Sequence, residues 1–92
     1  TVPDLERIFQ RFVFDGQSRL IVDMRAVNYI SSSGLRVLLT ARRQARSRGG
    51  DVYLCELQPR VREIFEMVGF MSVFGIFATR EEAAAALYPA AH

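Results

Sequence analysis

Three consecutive hydroxyls, Ser31, Ser32 and Ser33, stand directly before Gly34. They separate an apolar run, Leu20-Ile21-Val22-Asp23-Met24, from a Leu- and Arg-rich run between Leu35 and Arg48. A hydroxyl at such a junction sits at a helix N-terminus, where free backbone N–H groups and the positive end of the macrodipole favour an anion. A phosphate placed on one of these serines would meet a ready-made site. That is the chemistry of a switch. Hydrolysis is not supported, because a serine nucleophile needs a histidine base and the sole histidine is His92, in the tail. The Gly-x-Ser-x-Gly elbow, metal-ligand spacings and a phosphate-binding glycine loop are all missing from the sequence. The chain reads as a non-enzyme without a metal site.

The elements that must position the serines follow from periodicity. Leu5, Ile8, Phe9 and Phe12 predict an amphipathic helix over Pro3–Phe14, followed by a loop at 15–18 with Gly16 as its stop. Leu20-Ile21-Val22 is continuous and apolar, as in a strand covered on both faces. The next helix places Gly34, Leu38, Ala41 and Ala45 on one side and Arg36, Thr40, Arg43 and Ser47 on the other, and ends at Gly49-Gly50. A strand over Val52–Cys55 precedes a helix opened by Pro59 and closed by Gly69, with Val61, Ile64, Phe65 and Val68 as its apolar stripe. A short strand around Phe74–Phe77 leads to a last helix. Its capping box is Thr79 with Glu82, and its inner face is Ala83, Ala86 and Leu87. The tail from Tyr88 is expected to fray. Helices alternating with strands make an α/β domain with parallel crossovers.

Length and composition bound the partners. Ninety-two residues make one small domain, residues 1–92, that buries about 60% of its unfolded surface. The 50% hydrophobic and 24% charged residues fit a soluble globular chain. No apolar run approaches the roughly 18 residues of a membrane span, and the start lacks a signal-peptide pattern, so a cytoplasmic location is expected. Cys55 alone supplies neither an internal disulfide nor a metal cluster and reads as a small core residue. All twelve basic residues are arginine, and five lie between Arg36 and Arg48, yet the formal net charge is only +2. Direct nucleic-acid binding would need a larger patch and stacking aromatics. These arginines form either a solvated face or a docking surface.

In sequence order, Arg19 to Met24, Val27-Asn28-Tyr29-Ile30 and Ser31 to Leu39 resemble the STAS domain, the module of sulfate transporters and anti-sigma-factor antagonists. Ala45 to Gly50, Leu57-Gln58-Pro59, Val68-Gly69-Phe70 and Glu81-Glu82-Ala83 extend the likeness from about Leu5 to Leu87. The resemblance implies a four-helix domain with a mixed β-sheet and no cofactor, and a chain that lacks the family's first one or two strands, which carry a Gly-x-Leu/Ile-Asp motif. Exposed sheet edges would then favour a homodimer. It implies an antagonist that sequesters an anti-sigma factor, a serine kinase of the histidine-kinase-like ATPase superfamily. That kinase phosphorylates the serine before the glycine, here Ser33, and a serine phosphatase restores binding. The alternative is a STAS scaffold or regulatory module without a phosphorylation cycle. The family's usual Asp-Ser-Ser-Gly has Ser31 in its acidic position, which removes a carboxylate beside the acceptor.

The expected docking surface comprises Ser31, Ser32, Ser33 and Gly34 with Arg36, Leu39, Thr40 and Arg43 of the following helix. Leu39 would be its apolar anchor, and Arg36 and Arg43 would meet acidic groups. Ser32 is read as the N-cap. Asp23, at the strand end, either supports the serine loop or positions a phosphate donor, and Asn28 is either loop support or a turn residue.

Overall fold

The computed structural model describes residues 18–88. The helix expected over Pro3–Phe14 and the tail beyond Tyr88 lie outside them. The element order is β1 (Arg19–Asp23), α1 (Ser32–Ser47), β2 (Asp51–Cys55), α2 (Pro59–Val68), a 3₁₀ turn (Phe70–Ser72), β3 (Gly75–Phe77) and α3 (Arg80–Leu87). The strand order is β1-β2-β3. β2 and β3 are parallel, with Tyr53 opposite Gly75 and Cys55 opposite Phe77. The chain falls into two compact units, and β1 and β2 each contribute residues to both.

The first unit holds the start of β1, α1 and the start of β2. α1 starts three residues earlier than the Leu-rich run implies. It buries Gly34, Leu35, Val37, Leu38, Ala41 and Ala45, a wider stripe than the four residues expected. It ends in a Schellman motif: Gly49, at φ 86°, donates to the Arg46 carbonyl at 3.0 Å and Gly50 to the Ala45 carbonyl at 2.9 Å. Gly50 is there for a second reason. The amide of Asp51 donates to the Ser18 carbonyl at 2.8 Å, and a Cβ on Gly50 would fall 1.7 Å from that carbonyl oxygen.

The second unit carries the rest of β1 and β2, with α2, β3 and α3. Its centre is fully buried Phe65, whose ring centroid lies 6.0 Å from Phe70 and 6.2 Å from Phe74. Phe74, expected in the last strand, instead precedes it and is buried. Gly69 closes α2 in the left-handed region as expected. Val68, expected in the apolar stripe, is 46% exposed, because the helix ends there and turns away. Ala86 is likewise exposed, while Ala83 and Leu87 are buried. Thr79 caps α3 by accepting from the Glu82 amide at 3.1 Å, but the Glu82 carboxylate reaches Ala78, one residue beyond the usual capping-box partner. Ile21 and Val22 are half-buried and so are not covered on both faces as their apolar character suggested.

Cys55 has no exposed surface, and its thiol lies 3.8 Å from the Val22 carbonyl. Burial pushes the thiol pKa up, and the Asp23 and Glu56 carboxylates push it further. The thiol is therefore a protonated core filler. A thiol-reactive disulfide reagent at pH 8 should label Cys55 only at the rate of unfolding. Labelling as fast in buffer as in urea would refute its burial. Gly50→Ala should destabilise by about 2–3 kcal/mol in urea denaturation, since backbone must move to admit the methyl group. A cost below about 0.5 kcal/mol would mean that the approach of Ser18 is not needed.

Candidate functional site

The serine cluster is built by the way α1 begins. Ser31 keeps an extended backbone, at φ −85° and ψ 169°, and its Oγ accepts the Gly34 amide at 3.2 Å. Its carbonyl accepts the Leu35 amide at 2.9 Å. Ser31, not Ser32, is therefore the N-cap. The reason is spacing: a cap reaches the amide two or three residues on, and Gly34 is that residue for Ser31. Ser32 and Ser33 become the first two residues of the helix, and both are exposed. Their amides make no hydrogen bond among the described residues.

This placement changes the meaning of the missing carboxylate. Serine and aspartate are both strong N-caps, so Ser31 keeps the acceptor that the absent Asp would supply and loses only the charge. Gly34, the third helical residue, is buried, and a Cβ there would stand 2.8 Å from Cγ1 of Ile30. Ile30 is itself buried, so it has little room to yield.

The outer face of α1 continues from Ser33. Arg36, Thr40 and Arg43 are exposed and Leu39 is half-buried at the flank. The helix contains no acidic residue. Its four arginines are sorted by Asp51, a residue that sequence reasoning passed over. The Asp51 carboxylate takes Arg46 at 3.0 Å and Arg42 at 3.5 Å. Arg36 and Arg43 have no ion-pair partner among the described residues. The clue in the sequence was Asp51 itself, the first acid after an arginine-rich helix.

Asp23 and Asn28 belong to the second unit. Asp23 accepts the Arg25 amide at 2.9 Å and pairs with the Arg25 guanidinium at 3.3 Å, so its bonds serve the turn that follows β1. That turn is also held by Val27 donating to Met24 at 3.0 Å and by the Gln58 side chain donating to the Arg25 carbonyl at 2.6 Å. Asn28 is exposed. No group of three or more His, Cys, Asp or Glu is arranged to hold a metal ion among the described residues, and no helix there is long and apolar enough to cross a membrane.

Comparison with known proteins adds three findings. The family model for the STAS domain matches residues 1–83. BtrV of Bordetella bronchiseptica, named as a candidate anti-sigma factor antagonist, is 49% identical over 71 residues, and an anti-sigma-B factor antagonist of Staphylococcus aureus is 24% identical over 76 residues. The two alignments span 77% and 83% of this chain, and 61% and 70% of those relatives. Two solved structures share the fold. A candidate anti-sigma factor antagonist from Thermotoga maritima gives a TM-score of 0.87 at 20% identity, over 94% of this chain and 74% of that one. A STAS domain protein from Planctomyces limnophilus gives 0.83 at 22% identity, over 94% and 75%.

The cap assignment has a direct test. Ser31→Ala should lower stability by about 1 kcal/mol in urea denaturation, while Ser31→Asp should hold or raise it by about 0.3–1 kcal/mol through the helix dipole. A larger loss from Ser32→Ala than from Ser31→Ala would move the cap to Ser32.

Proposed function

The chain belongs to the STAS domain family, and from that premise we propose that it is an anti-sigma factor antagonist switched by phosphorylation of Ser33. Unmodified, it binds an anti-sigma factor that is also a serine kinase of the histidine-kinase-like ATPase superfamily, and so keeps that kinase from its sigma factor. The kinase transfers the γ-phosphoryl group of ATP to Ser33 Oγ. The new O–P bond forms as the bond to ADP breaks, and the hydroxyl proton passes to a base on the kinase. A serine phosphatase later hydrolyses the ester. The chain supplies the acceptor and the docking face, and catalysis belongs to its partners. Dependence on ATP places this cycle in the cytoplasm.

The observation that carries this reading is the position of Ser33. It is exposed, it lies directly before Gly34 as second residue of α1, and its hydroxyl is not the one engaged in capping. A phosphate there adds a charge of about −1.5 to −2. At the start of a helix that charge gains about 0.3–1 kcal/mol from the dipole, so the fold is spared. A partner packed over Ser33 must instead desolvate the phosphate, which costs several kcal/mol unless matched by cations. Each 1.4 kcal/mol is a tenfold loss of affinity.

The test is an affinity capture from source cells with wild-type and Ser33→Glu baits, read by mass spectrometry. A histidine-kinase-like ATPase should be recovered by wild type and reduced at least tenfold with Ser33→Glu, whose thermal unfolding midpoint should stay within about 2 °C of wild type. Equal recovery of the same proteins by both baits would reject the switch in favour of a constitutive scaffold.

A further inference from the structure

We infer that the outer stripe of α1 docks an acidic protein surface, with carboxylates placed to meet Arg36 and Arg43. This inference rests on the antagonist reading and specifies the chemistry of its partner. The structure divides the arginines of α1 into two pairs. Arg42 and Arg46 share Asp51, which neutralises part of their charge within the chain. Arg36 and Arg43 are exposed and without an ion-pair partner among the described residues, and both lie on the stripe that begins at Ser33 and runs through Thr40 to Ser47. No acidic residue of α1 offsets them.

Their geometry limits what fits. Seven residues at 1.5 Å each separate the two guanidinium stems by about 10 Å along the helix axis, two turns on one face. Acidic side chains seven residues apart on a partner helix have the same spacing, so an acidic helix laid along α1 pairs with both. Half-buried Leu39 at the edge supplies an apolar contact, and Thr40 between the arginines leaves room for close approach. Arginine suits this role because its planar fork binds carboxylate in a bidentate manner. Nucleic acid is the poorer match. Two arginines neutralise few phosphates, and α1 carries no aromatic side chain on which a base could stack.

The same charge pattern gives the switch its sign. An acidic surface attracted by Arg36 and Arg43 is repelled by a phosphate on Ser33, at the head of the stripe. Modification thus turns one end of the docking face from neutral to strongly negative while the partner stays acidic.

The experiment uses the partner recovered by the wild-type bait, purified and titrated calorimetrically against wild type, Arg36→Gln/Arg43→Gln and, as a control, Arg60→Gln on α2. We expect the double variant to bind at least tenfold more weakly at about 50 mM salt, a difference that shrinks at about 500 mM as screening removes the charge term. Arg60→Gln should bind as wild type, and circular dichroism should show both variants folded. A partner still sensitive to Ser33→Glu but indifferent to both arginines and to salt would overturn the acidic-surface inference and leave the antagonist reading intact. Failure of the wild-type bait to capture any partner would overturn both. Binding of a DNA or RNA duplex, lost in the double variant, would assign the arginines to phosphates and overturn the inference.

Discussion

The start of α1 is fixed by a contact with no slack: buried Gly34 lies against buried Ile30, and a Cβ on Gly34 would come within 2.8 Å of it. Glycine inside a helix costs about 0.5–1 kcal/mol relative to alanine, a loss accepted where a neighbour occupies the space a methyl group would need. Ile30 packed against Gly34 restricts how the chain enters the helix. Ser31 then faces the Gly34 amide, and the two following serines take the first helical positions with their side chains exposed. The availability of Ser33 is therefore a consequence of the packing of Ile30, three residues before it, against Gly34, the residue that follows it. A glycine after the serine would serve the proposed switch by shaping the approach, not by any chemistry of its own.

Charge along α1 is arranged with similar economy. A helix favours cations at its C-terminal end, and Arg46 lies in the last turn, where it also meets Asp51. Arg36 lies in the second turn, where the dipole offers a cation nothing. Neither the helix nor an ion-pair partner among the described residues accounts for it, and the same holds for Arg43. These two are the charges that the inferred docking face uses. Asp51 sharpens the contrast by drawing in the two arginines that face it and leaving the serine stripe with the others.

Much of this was legible in the sequence, because the relevant signals are local. The inward residues of α1 and the stops at Gly49-Gly50 and Gly69 depend on side-chain periodicity and backbone freedom, and the structure follows them. The cap was misplaced by one residue because three serines in a row offer three candidate hydroxyls. Only the backbone conformation decides which of them reaches an amide. Val68 and Ala86 satisfy the helical period yet are exposed, since periodicity marks a face and not how far along the helix the neighbouring element extends. The partners of Asp51 were harder to read than its presence, for a related reason. The clasp joins residues across a reversal of the chain whose geometry is set by a Schellman turn and by the backbone approach at Ser18.

The serine at position 31 bears on how the proposed switch behaves once set. With aspartate there, a phosphate on Ser33 would share the first turn of α1 with a second anion two residues away, and their repulsion would offset part of the gain from the dipole. Ser31 holds the Gly34 amide without that charge. The phosphorylated helix start then carries a single anion, set among amides that have no other partner in the described chain. Replacing the carboxylate by a hydroxyl thus conserves the cap and removes a repulsion that modification would otherwise meet. The change is compatible with a phosphorylation cycle in which the fold is left undisturbed and only the charge at the head of the docking face changes.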